Sequence, residues 1–188
     1  SALVVDYTGH TSHVKWMNNA LALDIYSFDG LESEITGADF DQDGDLDLFI
    51  GGRIVPGRWP TSPGSRLYLN ESEPGTLRFK LASEEQAGAL KACQRATSAL
   101  WSDIDRDGWM DLLVTHEYGP IRVFLNKEGK LQDLTAETGM EKLKGMWYGI
   151  AGRDLDGDGD IDYVASNFGK NTTYKASEKK PELLTYIE

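Results

Sequence analysis

The sequence predicts an all-β protein built from four-stranded antiparallel repeats of the β-propeller kind. Two observations predict this fold. One nine-residue acidic pattern occurs three times, beginning at Asp39, Asp103 and Asp154, and short β-prone segments recur around each copy. A period of about 50–60 residues with four short strands per unit is typical of a propeller blade. The 188 residues therefore suffice for about three blades.

The composition excludes several classes of protein. With 40% hydrophobic and 10% aromatic residues, the chain can build a folded core and does not resemble a disordered segment. The net charge of −12 argues against a nucleic-acid partner, because phosphate binding needs a basic surface. No apolar run is long enough for a membrane-spanning helix. The single cysteine, Cys93, cannot form an internal disulfide, and we expect it to be buried.

Each acidic copy fits the pattern D-x-D-x-D-G-x-x-D, over residues 39–47, 103–111 and 154–162, which are called the first, second and third loops below. Four carboxylates within nine residues repel one another unless a cation neutralises them. Alternate aspartates of a tight loop can converge on one point, and the glycine at position 6 permits the sharp turn. Such an oxygen set suits Ca²⁺ better than Mg²⁺, and the absence of nearby His and Cys argues against zinc.

We therefore predict about three Ca²⁺ sites. In each loop the ligands are the aspartates at positions 1, 3, 5 and 9, with the backbone carbonyl of position 7. A tryptophan at position 7 of the second loop is compatible with this set, because the backbone binds there. The predicted metal ligands are Asp39, Asp41, Asp43, Asp45, Asp47, Asp103, Asp105, Asp107, Trp109, Asp111, Asp154, Asp156, Asp158, Asp160 and Asp162.

An EF-hand begins with a similar pattern but needs a bidentate acid at position 12. Position 12 is Ile50, Val114 or Ala165 in the three loops. The segments that follow the loops are short and β-prone, so they predict strands and not exiting helices. Each loop is thus predicted to join two strands of a hairpin.

The remaining elements follow from the repetition of similar segments around the loops. The chain is expected to divide into an N-terminal segment, 1–30, that supplies strands of a preceding blade, and three blades over 31–90, 91–140 and 141–188, the last not necessarily complete. Alternation over Leu21–Tyr26 predicts a strand in the N-terminal segment, and residues 183–187 are a candidate last strand. The predicted strands of the blades are 35–38, 97–101 and 148–152 before the loops, 46–50, 110–114 and 161–165 after them, 66–70 and 122–126 as third strands, and 79–83 and 131–135 as fourth strands.

The first repeat is longer than the second between its loop and its third strand. The extra residues fall in the Pro- and Gly-rich segment 54–64, which contains Trp59. Insertions between strands of a propeller lie on one face and often bind partners. The alternative is a rigid structural loop whose tryptophan packs on the neighbouring blade, and the sequence leaves both open.

The loops with their flanking strands resemble the FG-GAP/VCBS repeats of calcium-binding β-propellers, a family that includes the integrin α-subunit head. Residues 131–139 and 167–171 are similar to bacterial secreted proteins related to cartilage acidic protein. The resemblance covers about residues 31–177 and implies the same metal ligands in all three loops. Such propellers usually close with about seven blades. We therefore expect this chain to be part of a larger propeller, or to self-associate through open blade edges.

The resemblance implies a secreted or cell-surface protein, or a periplasmic or outer-surface one in a bacterium. We expect a non-enzymatic module for protein or glycan binding and adhesion, in which calcium is structural. A glycan-binding surface would use Trp59, Trp147 and Tyr148. The alternative is a propeller-type polysaccharide lyase or hydrolase. No catalytic residue is assigned, because the loop acids are needed as ionised ligands and the three histidines form no supported catalytic motif.

Overall fold

The computed structural model describes residues 3–7, 12–16, 22–25 and 31–169. Two 3₁₀ turns, Gly88–Ala92 and Met140–Lys142, lie in the connections. None of the helical segments in these ranges has the length or apolar character needed to cross a membrane. The other elements are β1 (Leu3–Tyr7), β2 (Ser12–Trp16), β3 (Ala22–Ile25), β4 (Leu31–Ala38), β5 (Asp47–Ile54), β6 (Arg66–Asn70), β7 (Phe79–Leu81), α1 (Glu84–Ala87), β8 (Ala96–Ser102), β9 (Asp111–Gly119), β10 (Arg122–Asn126), β11 (Leu131–Asp133), β12 (Gly145–Arg153) and β13 (Asp162–Asn167).

The strands form antiparallel meanders, in which each strand pairs with the next along the chain. Strands β1–β3 form a three-stranded sheet and β4–β7 a four-stranded one. Strands β8–β11 repeat the four-stranded arrangement, and β12 pairs with both β13 and the far end of β9. The prediction of an all-β fold with propeller-type blades is confirmed, and the described blades do not close into a ring.

Most predicted strands are present, with shifted ends. The third strands match the prediction at both ends, and β3 lies within the predicted Leu21–Tyr26. The fourth strand of the first blade is shorter than predicted, because Ser83 leaves the sheet to cap α1. Its Oγ accepts a hydrogen bond from the Gln86 backbone N–H, and the Gln86 side chain accepts one from the Ser83 N–H, which is a capping box. The predicted strand at 183–187 lies outside the described residues.

The largest buried cluster lies between the first two blades. Phe40 and Phe49 come from the first blade, Trp101 and Phe124 from the second, and Leu90 from the connection between them. Burying a phenylalanine completely contributes about 1.5–3 kcal/mol. This cluster therefore fixes the second blade against the first and sets the positions of the loops at its edge.

Strand β9 is buried on both faces, and its side chains alternate between two interfaces. Leu112 and Val114 face the first blade, whereas Leu113 belongs to a second cluster that Ile150 and Tyr163 of the third blade cover. Alternation with a period of two explains this division. The second blade is therefore packed between its neighbours, and the three loops are brought into one row.

Candidate metal centres

All three loops join the first and second strands of a blade, as predicted. The glycine at position 6 has the positive φ expected of it, and the residue at position 4 also has a positive φ in every loop. For Gln42 and Arg106 this backbone conformation is uncommon, and the sequence pattern did not predict it. The φ values are 62° at Gln42, 61° at Arg106, 81° at Gly157, 96° at Gly44, 89° at Gly108 and 91° at Gly159.

The aspartates at positions 1 and 3 converge in every loop, together with a third one. In each group, one oxygen from each of three carboxylates lies within 4.8 Å of the others. The third member is at position 5 in the first loop and at position 9 in the other two. The groups are Asp39, Asp41 and Asp43; Asp103, Asp105 and Asp111; and Asp154, Asp156 and Asp162.

The aspartate at position 1 closes each turn. Its Oδ2 accepts a hydrogen bond from the N–H of the position-6 glycine, at 3.2 Å for Asp39, 3.0 Å for Asp103 and 3.0 Å for Asp154. This bond holds the backbone in the curved shape that turns the later aspartates inward. The carboxylate at position 1 is therefore positioned by the loop itself.

The first loop holds two carboxylate oxygens with no protein partner. Oδ1 of Asp39 and Oδ1 of Asp41 are buried and accept no hydrogen bond. Burial, followed by the charge of Asp43, raises the pKa of Asp41. A buried carboxylate oxygen without a partner is costly, and a bound cation removes that cost. The residues fit a hard cation such as Ca²⁺, because every converging donor is an oxygen.

In the first loop, the aspartate at position 9 has a different role from the other aspartates of that loop. Asp47 is completely buried, and its two oxygens accept hydrogen bonds from the N–H groups of Phe40 and Asn70, both at 2.8 Å. Burial raises the pKa of Asp47 to about 6. The side chain joins the start of the loop to the end of the third strand. It does not belong to the close group of the first loop, although the sequence predicted it as a ligand.

The second loop repeats these hydrogen bonds, although its position-9 aspartate also belongs to the converging group. Asp111 is also completely buried and accepts hydrogen bonds from the N–H groups of Ile104 at 2.7 Å and Asn126 at 2.8 Å. In the third loop, Oδ2 of Asp162 accepts from the N–H of Leu155 at 2.9 Å. In all three loops, the aspartate at position 9 therefore accepts a hydrogen bond from a backbone N–H of its own loop.

Side chains of neighbouring loops are bonded to one another. Asn126 donates from Nδ2 to the carbonyl of Phe40 in the first loop, at 2.8 Å. Gln42 of the first loop donates to the carbonyl of Gly108 in the second, at 2.9 Å. Arg106 of the second loop forms an ion pair with Asp160 of the third. The sequence pattern does not predict these contacts, and its only signal for them is the asparagine that ends each predicted third strand.

The second loop also contains a cation supplied by the protein. The ammonium of Lys127 contacts Asp105 and lies 2.6 Å from Oδ2 of Asp107. Hydrogen bonds to these carboxylates, that to Asp105 first, raise the pKa of Lys127, and the bond from Lys127 lowers the pKa of Asp107. In the first repeat the residue after the asparagine is Glu71, which pairs instead with Lys80 at 3.0 Å.

The family comparison agrees with this geometry. An FG-GAP-like repeat matches residues 39–114 and residues 103–165, so that each match begins at a loop and ends in the second strand of the following blade. Together the matches cover more than half of the 188 residues. The chain belongs to the FG-GAP-like repeat family. Such repeats are typical of propeller-type modules in extracellular and surface proteins. No curated protein matches the chain.

The aromatic residues predicted for glycan binding differ in their exposure to solvent. Trp59 is 48% exposed and meets Tyr118 of the second blade edge to face, with ring centroids 6.3 Å apart. Tyr148 is also exposed, beside Phe168. Trp147 packs against the second core cluster, and its Nε1 donates to the carbonyl of Leu143 at 3.0 Å. Trp147 is therefore partly buried.

Cys93 is buried, as expected, but it is not isolated. Its sulfur lies 3.2 Å from Nε2 of His116, which is also buried. Because Nδ1 of His116 must donate to the carbonyl of Pro120, at 3.0 Å, Nε2 accepts from the thiol. Burial lowers the pKa of His116 to about 4 and raises that of Cys93 to about 12. Of the other histidines, His13 lies in β2 and His10 lies outside the described residues.

Proposed function

We propose that the chain is an extracellular calcium-binding propeller module that binds a protein or glycan ligand without catalysis. The observation that carries the calcium part is the pair of buried, unpartnered oxygens of Asp39 and Asp41. The repetition of converging carboxylates in the other two loops supports the same reading. Calcium outside cells reaches the millimolar range to which weak extracellular sites are matched.

In this proposal calcium is structural. Each loop joins two strands of a blade, and contacts such as that of Asn126 with Phe40 link neighbouring loops. Three Ca²⁺ ions would halve the formal net charge of −12 and relieve the repulsion within the loops. An ion that binds only the folded chain stabilises it in proportion to the logarithm of its concentration.

Calorimetric titration with calcium and thermal unfolding with and without EDTA test this proposal. We expect heat of binding and a lower Tm in EDTA. Asp41→Asn should weaken binding, whereas Glu137→Gln, a matched change at an exposed residue outside the loops, should not. An unchanged melting curve in excess EDTA, together with no heat of binding, would show that the loops do not bind calcium.

The ligand surface that the structure supports best is the aromatic pair of Trp59 and Tyr118. Both rings are partly exposed; Trp59 lies in the inserted segment after β5, and Tyr118 lies near the end of β9 opposite to its metal loop. Arg53 and Arg95 both bond to Glu117, the residue before Tyr118. Trp, Tyr and Arg are enriched at the centres of binding interfaces.

A glycan panel and a screen of extracellular proteins would test this surface. We expect Trp59→Ala to reduce binding of any ligand found at least tenfold, the effect of removing an interface hot spot. Tyr148→Ala, at the other exposed aromatic pair, is the control and should bind as the unchanged chain does. Equal affinity of all three proteins would remove the Trp59 surface from the proposal.

Two further possibilities have direct tests. The lyase or hydrolase alternative predicts new reducing ends, or unsaturated uronates, after incubation with polysaccharides. Burial of His116 and its lowered pKa argue against its use as a general base at neutral pH. Self-association through blade edges is proposed because, among the described residues, β13 pairs only with β12. Light scattering that shows a monomer over a wide concentration range would contradict it.

A further inference from the structure

Lys127 places its ammonium against two of the predicted metal ligands of the second loop. It follows Asn126 at the end of β10, and its ammonium contacts Asp105 and lies 2.6 Å from Oδ2 of Asp107. These two aspartates are at positions 3 and 5 of the loop. An ammonium bonded to both uses carboxylate oxygens that a divalent ion needs, and its charge repels that ion at short range.

The first repeat lacks this lysine. The residue at the same place after the third strand is Glu71, which pairs with Arg78 and Lys80 at the surface. The buried Oδ1 atoms of Asp39 and Asp41 have no hydrogen-bond partner. The two loops therefore share a sequence pattern but differ in whether the protein already neutralises their carboxylates.

The third loop resembles the first in this respect. Its one ion pair among the described residues joins Arg106 to the side chain of Asp160 at position 7. That side chain is outside the converging group, because position 7 is predicted to bind through its carbonyl. The carboxylates of Asp154, Asp156 and Asp162 form no ion pair with a described lysine or arginine.

We propose that Lys127 is a built-in competitor of calcium at the second loop, so that the first and third loops fill at lower calcium concentration than the second. This inference rests on the proposed calcium-binding function. Calcium enters the second loop only as the ammonium leaves Asp105 and Asp107 for solvent. The flexible four-carbon stem of a lysine allows that movement without a change in the backbone.

The order of filling has a structural consequence. The second loop is the central one, bonded to the first through Gln42 and Gly108 and to the third through Arg106 and Asp160. The site that fills last is therefore the one in contact with both of the others. At intermediate calcium, the chain holds metal at the two outer loops and an ammonium at the central loop.

Terbium luminescence can report on the second loop separately. Tb³⁺ replaces Ca²⁺ in oxygen sites and is excited by energy transfer from a nearby indole. Only the second loop has an aromatic residue, Trp109, at position 7. The part of the emission that is lost in Trp109→Phe therefore belongs to this loop, and competition with Ca²⁺ then gives its calcium affinity.

The test compares the 188-residue chain with Lys127→Met and Lys127→Gln, titrated with Tb³⁺ and then Ca²⁺. We expect both variants to bind calcium at the second loop about tenfold more tightly, since a unit charge a few ångströms from a divalent ion changes affinity by about that factor in water. Lys130→Met is the matched control. Its ammonium pairs with Glu85 at 2.5 Å, away from the loops, and its removal should leave the second-loop affinity unchanged.

The outcomes separate the two proposals. Wild-type affinity at the second loop in both Lys127 variants, with metal bound at the other loops, would overturn the competitor role and leave calcium binding intact. The absence of any metal binding, by luminescence and by calorimetry, in all of these proteins would overturn the proposed function itself. Circular dichroism of each variant verifies that it is folded.

Discussion

The first and second repeats bond their loops in the same way but neutralise them differently. In both, the buried aspartate at position 9 accepts two backbone hydrogen bonds of 2.7–2.8 Å, one from the loop and one from the asparagine that ends the third strand. The next residue is Glu71 in one repeat and Lys127 in the other. The comparison shows that hydrogen bonds fix the shape of the loop, whereas its charge balance is decided by one residue outside the pattern.

A second difference lies at the other end of the same strands. Five residues after the position-9 aspartate, β5 has Gly52 and β9 has His116. The inserted segment of the first repeat crosses directly over Gly52, and Ser62 donates from Oγ to its carbonyl at 3.1 Å. In the second repeat the imidazole fills the equivalent place and meets Cys93. The inserted segment therefore requires a glycine at residue 52. The second repeat lacks the insertion, and this leaves room for the side chain of His116.

The largest expected effect tests the shared hydrogen bonds. Asp47→Ala and Asp111→Ala each leave two backbone N–H groups, of which at least one is buried, without a partner, at about 2 kcal/mol each. We expect each variant to lose about 4 kcal/mol of unfolding free energy, measured by urea denaturation in EDTA. A large difference between the two variants would break the equivalence of the repeats. Asp45→Ala, at an exposed position of the first loop, is the control.

The next effect tests the insertion. A Cβ at residue 52 would overlap the backbone carbonyl of Gly64, which cannot move aside as a side chain can. We expect Gly52→Ala to cost about 3 kcal/mol, at the upper end of the range for overpacking. The same change at Gly57, at the tip of the insertion, has open space but a φ of 73° and should cost about 1 kcal/mol. Equal unfolding free energies for the two variants would contradict the close approach.

The third prediction concerns pH. The unfolded chain protonates His116 near its usual pKa of 6.5, whereas burial, aided by the charges of Arg122 and Arg95, lowers the pKa in the folded chain to about 4. The unfolded chain therefore binds more protons at this histidine between these values, and the contribution of His116 to the unfolding free energy falls as the pH drops through this window. We expect this contribution to fall by about 2 kcal/mol between pH 7 and pH 5.

His116→Gln provides the control for the pH prediction, because glutamine does not titrate. The difference between the pH dependences of the two proteins isolates the histidine from the loop carboxylates. The same pH slope in both proteins would show that His116 is not the group responsible.

The smallest effect is expected at the residue that distinguishes the two loops. Glu71 forms its ion pairs with Arg78 and Lys80 at the surface, where such pairs contribute little. We expect Glu71→Ala to change the unfolding free energy by less than about 0.5 kcal/mol. A loss of more than about 1 kcal/mol in urea denaturation would mean that Glu71 supports the first loop, and the contrast with Lys127 would need revision.

Short patterns in the sequence predict much of the fold. The third strands, Arg66–Asn70 and Arg122–Asn126, were predicted at both ends because each is a short apolar run ending in asparagine. The helix at Glu84–Ala87 was not predicted, although Ser83 and Gln86 have the spacing of a capping box. The β-prone residues before Ser83 form a stronger pattern than the capping box. The predicted fourth strand, 79–83, is therefore longer than the observed Phe79–Leu81.

The converging groups of carboxylates were predicted in part. The spacing of the aspartates identified the converging positions 1 and 3 in all three loops, since both lie within one tight turn. It gave no warning that Asp47 is used for backbone hydrogen bonds instead of joining the close group. Nor did it indicate Lys127, which is 20 residues from Asp107 along the chain.

The sequence by itself determined the repeating unit, because strand alternation and an acidic turn are short-range patterns whose causes lie within a few residues. The tertiary structure decided what each loop meets. Packing between blades brings Asn126 to the first loop, the segment before β8 brings Cys93 to His116, and the return of the third strand brings Lys127 to the second loop. These contacts depend on distances in space between residues far apart in the chain, and no local spacing encodes them.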